Sequence, residues 1–299
     1  MASFTGIWVA LATPFITTAA TAAATTTAAI DIPALQEMAC SLMEAGVSGL
    51  VVCGSTGEAA ALSAEEQLQV LDAVLAVVPA DNIVMGLSCN NLQQVLQRLQ
   101  LLQQRPVAGL LVTPPYYIRP SQAGIIEYFH AIANASRIPI VLYNIPYRTG
   151  VDMELDTIRV LAGHERIVAI KDCGGSLQAT MQLIADRQLY VLTGEDHQLL
   201  SHLSLGGAGA IIASAHLCPE LFVRVARLME SGDIIQAREI FYHLLPLICT
   251  LFEEPNPAPL KAALAAQGRI EDVLRSPMQQ TTPALKEKIL LQLALLQAV

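Results

Sequence analysis

Basic side chains are scarce in this chain and unevenly placed. Of 17 lysines and arginines none precedes Arg98, and only four are lysines: Lys171, Lys261, Lys286 and Lys288. With no basic cluster, a net charge of -9 and a pI near 5.1, nucleic acid is not an expected partner. The missing basic residues at the start predict no charged signal or transit leader, and so a cytoplasmic location. No apolar stretch has both the length and the flanks of a membrane span, despite a mean hydropathy of +0.48, and no membrane partner is expected. The six cysteines (40, 53, 89, 173, 218 and 249) contain no CxxC pair, which suits reduced thiols packed as small hydrophobes. Metal-ligand spacing is absent too: His197 and His202 are five apart, and no metal site is predicted. Gly206-Gly207-Ala208-Gly209 matches neither a P-loop nor a dinucleotide fingerprint and reads as a tight turn before a strand.

What is present is apolar and regular. The chain is 53% hydrophobic and 14% charged, ample for a large core. Gly6 to Phe15 reads as a buried strand closed by Pro14. Thr17 to Ala29 is a tract of only Thr and Ala, expected to be a surface loop or loose helical insertion without chemistry. Helix Pro33–Ala45 and strand Gly49–Cys53 follow, and Ser63 with Glu66 forms a capping box opening a helix to about Val78. Strands are then predicted at Asn82–Leu87, Gly109–Thr113, Pro139–Asn144, Ile167–Lys171, Leu189–Thr193 and Ala210–Ser214, with helix-length segments between them. The strand runs are uniformly apolar, as parallel strands covered on both faces require. Strict alternation counted to eight strands predicts an α/β fold, the (β/α)8 TIM barrel, over 1–232. Pro219–Ser231 supplies the eighth helix. Residues 233–299 read as a C-terminal helical extension of about three helices packed on the barrel, with no linker splitting the chain.

Barrel enzymes carry their chemistry at the carboxyl ends of the strands. Lys171, the sole lysine of the first 260 residues, falls at such an end in Ile170-Lys171-Asp172. Desolvation there disfavours the ammonium and leaves an amine able to attack a carbonyl. Taken alone, the residue reads first as a snorkelling side chain or a partner of Asp172. Other strand ends supply Gly54-Ser55-Thr56-Gly57-Glu58, Pro114-Pro115-Tyr116-Tyr117, Tyr143-Asn144-Ile145-Pro146-Tyr147-Arg148, Gly194-Glu195-Asp196 and Ile211-Ile212. Each has an ordinary use: Ser55 and Thr56 satisfying their own turn, Tyr143 as core, Arg148 in an interface ion pair, Glu195 and Asp196 capping a helix. Together, a carbinolamine-forming amine, a phenol and an arginine suit aldol chemistry on a 2-oxo acid.

These motifs, from Thr13-Pro14 to Phe252-Glu253-Glu254-Pro255-Asn256-Pro257, resemble the dihydrodipicolinate synthase / N-acetylneuraminate lyase family of class I aldolases. Arg148 and the Glu-Pro-Asn-Pro segment resemble its synthase branch. The resemblance implies pyruvate bound as a Schiff base on Lys171, with no cofactor and no metal. It implies that Ser55 and Thr56 hold the pyruvate carboxylate, while Ile212 and Gly194 help bind the substrate. The enamine would attack the aldehyde of aspartate 4-semialdehyde, whose carboxylate meets Arg148, giving 4-hydroxy-tetrahydrodipicolinate for lysine biosynthesis. Tyr143, Thr56 and Tyr117 would relay protons, with Tyr117 reaching into a neighbouring subunit of a homotetramer built as a dimer of dimers. The alternatives are a lyase of the same fold acting on a 2-keto-3-deoxy sugar acid or N-acetylneuraminate, and a barrel that has lost catalysis and only binds ligands. Ser55, Ile118, Tyr147 and the Ala/Thr tract depart from the synthase pattern, and Tyr147 is bulky enough to narrow the second-substrate pocket. Ala64 and Gln67, with Gln94 beside a retained Asn90, imply weak or absent feedback inhibition by lysine.

Overall fold

A computed structural model describes residues 3–17 and 28–297. The predicted insertion therefore lies mostly outside the described residues. Its borders pair: β2 (Phe15–Ile16) runs antiparallel to β3 (Ala29–Ile30), so the first long strand ends earlier than its composition suggests, as β1 (Gly6–Ala10).

The remaining strands follow the predicted rhythm: β4 (Gly49–Val52), β5 (Ile83–Leu87), β6 (Gly109–Val112), β7 (Ile140–Asn144), β8 (Ile167–Asp172), β9 (Tyr190–Thr193) and β10 (Gly209–Ile212). Eight of the ten strands form a closed parallel barrel in the order β1-β10-β9-β8-β7-β6-β5-β4, which is chain order around the ring. Every residue of β5, β6 and β7 is buried, the expected result of apolar runs with both faces covered.

The chain divides into two compact units. One comprises Met1–Trp8, Ser48–Val51 and Pro79–Ile212. Here α3 (Leu92–Leu102), α4 (Gln122–Ala135), α6 (Leu155–Ala162) and α7 (Leu177–Asp186) alternate with strands, as does the short α8 (Leu199–Ser204). Their apolar faces recur at helical spacing: Val95, Leu99 and Leu102 on α3, and Ile125, Phe129 and Ile132 on α4, are fully or nearly fully buried. Each such side chain contributes about 1.5–3 kcal/mol of transfer free energy. A helix that periodicity does not announce, α5 (Pro146–Thr149), follows β7 directly, because Pro146 at its first position is preset for helix and Gly150 closes it.

The second unit comprises Val9–Val47, Val52–Val78 and Ala213–Val299. It holds α1 (Ile32–Glu44), α2 (Ala64–Leu75), α9 (Pro219–Ser231), α10 (Ile234–Leu251), α11 (Ala258–Ala266) and α12 (Pro283–Gln297). The capping box at α2 forms as read: Glu66 N–H donates to Ser63 Oγ at 3.2 Å and Ser63 N–H to Glu66 Oε2 at 2.8 Å. By length and composition α10 is apolar enough to cross a bilayer, at a mean hydropathy of 1.2 over 18 residues. Its buried positions Ala237, Phe241, Leu244, Ile248 and Leu251 nevertheless recur every three or four residues, and it packs against α9 and α12, the pattern of a core-facing helix.

Candidate active site

Lys171 is the penultimate residue of β8, and its in-register neighbour on β7 is Tyr143. Alternation along the strand turns Lys171 and Asp172 to opposite faces. Lys171 is only 6% exposed, so it does not snorkel, and its Nζ lies 4.4 Å from the centre of the Tyr143 ring. Asp172 is not its partner. That carboxylate accepts the Gly174 N–H at 2.9 Å on one oxygen and the Thr180 hydroxyl at 2.7 Å on the other. Burial drives the Lys171 pKa down and the Arg148 guanidinium adds to this, while Cys173, Asp196 and Glu195 oppose it. A desolvated amine without a fixed counter-ion is a nucleophile in the making.

Gly194 follows β9 and is required for this amine to fit. A Cβ there would lie 2.5 Å from Lys171 Cε and would overlap Cys173 Sγ. Ile212 ends β10 at 1% exposure. Asn144, the last residue of β7, donates to Asp152 Oδ1 at 2.7 Å and accepts the Met153 N–H at 3.1 Å, pinning the loop that carries α5. On that turn Arg148 is exposed, as is Tyr147, whose hydroxyl donates to Glu195 Oε1 at 3.0 Å. Glu195 therefore holds a phenol and does not cap the following 3-10 turn. Tyr117 is 87% exposed at φ 71°, its N–H bonded to Thr149 O at 2.9 Å, so within one chain its ring stands in solvent.

Ser55 and Thr56 lie in the turn that follows β4. Ser55 is exposed, whereas Thr56 is 4% exposed and its Oγ1 accepts a hydrogen bond from Asn256 Nδ2 at 2.9 Å. The turn is sharply constrained. Cys53 and Glu58 both occupy the left-handed region, and a Cβ on Gly57 would lie 2.9 Å from Leu11 O. Two such non-glycine residues cost on the order of 1–3 kcal/mol each and persist where neighbours over-determine them. Thr13 Oγ1 donates to Gly57 O at 2.8 Å, and the buried Glu58 carboxylate pairs with Lys261 and accepts the Arg275 N–H at 3.1 Å. The roles of Glu58, Lys261 and Asn256 escape the strand-end search, because the latter two lie some 200 residues downstream. The Glu-Pro-Asn-Pro segment was the available signal for Asn256.

Among the described residues no group of three or more His, Cys, Asp or Glu is placed to hold a metal ion. His216, fully buried, donates from Nδ1 to Ala213 O and accepts the Ala12 N–H at Nε2, and burial lowers its pKa to about 4. It is a neutral structural histidine.

The family model of the dihydrodipicolinate synthetase family matches residues 3–295. The 4-hydroxy-tetrahydrodipicolinate synthase of Methanosarcina acetivorans is 38% identical over 295 residues, 97% of each chain. Among solved structures, the 4-hydroxy-tetrahydrodipicolinate synthase of Methylacidiphilum fumariolicum superposes with a TM-score of 0.92 at 32% identity, over 99% of this chain and 96% of that one. The chloride-inhibited dihydrodipicolinate synthase of Acinetobacter baumannii, complexed with pyruvate, gives 0.91 at 29% identity over 99% of each chain.

Proposed function

This chain belongs to the dihydrodipicolinate synthetase family, and from that premise we propose that it condenses pyruvate with aspartate 4-semialdehyde to 4-hydroxy-tetrahydrodipicolinate, through a Schiff base on Lys171. The observation that carries this reading is the buried Lys171 amine, 6% exposed, packed 4.4 Å from the Tyr143 ring with Asp172 engaged elsewhere. The name of the Methanosarcina acetivorans relative and the pyruvate complex of the Acinetobacter baumannii neighbour support the two substrates.

The neutral Lys171 amine adds to the C2 carbonyl of pyruvate, and the carbinolamine loses water to give the imine. Loss of a methyl proton gives the enamine, whose C3 attacks the aldehyde carbon while the aldehyde oxygen gains a proton. The amino group of the semialdehyde then closes on the former C2 and displaces Lys171, regenerating the amine. In this scheme Tyr143 moves protons to and from the carbinolamine oxygen, with Thr56 and a Tyr117 from a second copy completing the relay. Ser55 and Thr56 hold the pyruvate carboxylate, Ile212 and Gly194 bound the space it enters, and Arg148 pairs with the carboxylate of the aldehyde. No further cofactor is needed, since the lysine itself supplies the electron sink. The Tyr117 ring, 87% exposed, supports a homo-oligomer, which we assign as a tetramer built from two dimers and acting in the cytoplasm. Cleavage of a sugar acid is the less favoured reading, since the relatives above carry the synthase name.

Borohydride reduction in the presence of pyruvate tests the proposal. One reduced pyruvate adduct per chain is expected, on the peptide carrying Lys171. No adduct, or an adduct confined to Lys261, Lys286 or Lys288, overturns it.

A further inference from the structure

β7, β8 and β9 are consecutive in the barrel, and the register sets Tyr143 opposite Lys171 and Lys171 opposite Leu192. Tyr147 follows β7 and Glu195 follows β9, on either side of the strand that carries Lys171. Their side chains nevertheless meet, the phenol donating to the carboxylate at 3.0 Å. Both residues lie past the carboxyl ends of their strands, and both sit beside Cys173, the residue that directly follows β8. The pair is therefore an arch over the carboxyl end of β8.

The underside of the arch is packed. Cys173, two residues beyond Lys171, is 5% exposed, and its thiol lies against the Glu195 carboxylate, which together with burial pushes its pKa up. The Tyr147 hydroxyl is desolvated in the same place, close to Cys173, Glu195 and Tyr143, and its pKa is raised, so it remains a donor committed to Glu195. The rest of the tyrosine is open to solvent, the residue being 66% exposed overall. An aromatic ring thus stands at the approach to the amine, immediately before Arg148 in the chain. It offers no spare proton to a hydroxyl-rich substrate, and a polyol passing along the ring's open face would lose hydrogen bonds to water without replacement.

We propose that Tyr147, braced by Glu195, is a specificity-determining residue that limits the aldehyde partner of Lys171 to short chains and rejects longer polyhydroxylated aldehydes. The inference rests on the reading that Lys171 carries the pyruvate enamine. It adds to that reading a physical reason for selecting a compact aldehyde.

Steady-state kcat/KM at saturating pyruvate tests it, with aspartate 4-semialdehyde and with N-acetylmannosamine as the long-chain probe. Wild type, Tyr147→Ala and Tyr147→Phe are compared, and borohydride trapping of pyruvate is run on each protein. Tyr147→Ala is expected to move the ratio of the two kcat/KM values toward the probe by about tenfold or more, within the range a change in pocket volume commands. Tyr147→Phe, which keeps the ring and loses only the brace, is expected to move it less than Tyr147→Ala. Any smaller shift in Tyr147→Ala, no probe turnover in either of these proteins, or a larger shift in Tyr147→Phe overturns the proposal. A wild type that forms no Lys171 adduct overturns the functional reading instead, so the two failures are distinguishable.

Discussion

Two lysines of this chain are taken out of water, Lys171 at 6% exposure and Lys261 at 0%. In both, burial pushes the pKa down. Their companions differ. Lys261 meets the Glu58 carboxylate, donates to Val273 O at 3.0 Å and lies 4.0 Å from the centre of the Phe15 ring. Lys171 has the Tyr143 ring but, among the described residues, no carboxylate within ion-pair distance. Burial is common to both, so burial alone does not make a nucleophile. A carboxylate partner opposes the loss of the proton and makes the cation a structural tie, whereas an unpaired amine meets no such opposition from an ion pair.

The largest expected effect follows from removing the unpaired amine. Lys171→Met should lower turnover on the order of 10⁶-fold, as loss of a covalent nucleophile does elsewhere. Folding should survive and should improve most at low pH. The folded Lys171 pKa lies below its ordinary value of 10.5, so the folded state binds fewer protons between those two values. Its burial therefore costs stability in full below the folded pKa, and the cost fades as the pH rises toward 10.5. Melting temperature against pH checks the sign, and a variant that loses stability at low pH breaks the comparison.

Lys261→Met should do the reverse. It strands the Glu58 carboxylate and should cost about 3–5 kcal/mol of unfolding free energy, while pyruvate still traps on Lys171. The double variant Glu58→Gln/Lys261→Met should recover much of that loss. Urea unfolding of wild type, Glu58→Gln, Lys261→Met and the double variant measures the coupling, and additive losses would mean that the pair is not the tie described above.

Arg148→Ala sharpens the contrast at smaller scale. Arg148 is exposed, so its bond to the aldehyde carboxylate is worth about 1.5–3 kcal/mol in kcat/KM for aspartate 4-semialdehyde, the range of charged hydrogen bonds. Pyruvate trapping should persist, with its pH midpoint moved upward, because the guanidinium no longer disfavours the Lys171 ammonium. Equal loss of trapping and turnover would place Arg148 on pyruvate instead.

Free L-lysine presents a further cation that needs a carboxylate. At the segment where the resemblance puts its site, Gln94 accepts from the Cys89 thiol at 3.2 Å and Asn90 accepts the Tyr116 N–H at 2.8 Å, so each amide oxygen already accepts one hydrogen bond and neither carries a charge. A neutral amide in place of a carboxylate weakens binding by about 1–3 kcal/mol. Half-inhibition well below millimolar lysine, in an activity titration at fixed pyruvate, would contradict this.

The barrel was legible in the sequence because parallel strands demand apolar runs on both faces, and local signals such as Ser63 with Glu66 fix helix starts. Lys171 was legible because lysine is otherwise missing from the first 260 residues. What lay hidden depends on distance along the chain or on local detail. Glu58 reads as one acid in a glycine-rich turn until Lys261, on α11, is set against it. The two-residue strands β2 and β3 are too short to carry a period, and α5 is a single turn. Tyr147 was visible as bulk, but its bond to Glu195 joins loops whose positions only the closed barrel fixes.

The bond between Asn256 and Thr56 gives that hydroxyl a direction. Asn256 Nδ2 is the donor and Thr56 Oγ1 the acceptor, so the hydroxyl keeps its own proton for its other side. A chain of hydroxyls conducts protons only when each link is oriented head to tail. Here the tail is fixed by an amide that does not titrate. Asn256 occupies one lone pair of the hydroxyl and never gives up its own proton, so any relay through Thr56 must take its proton from another neighbour.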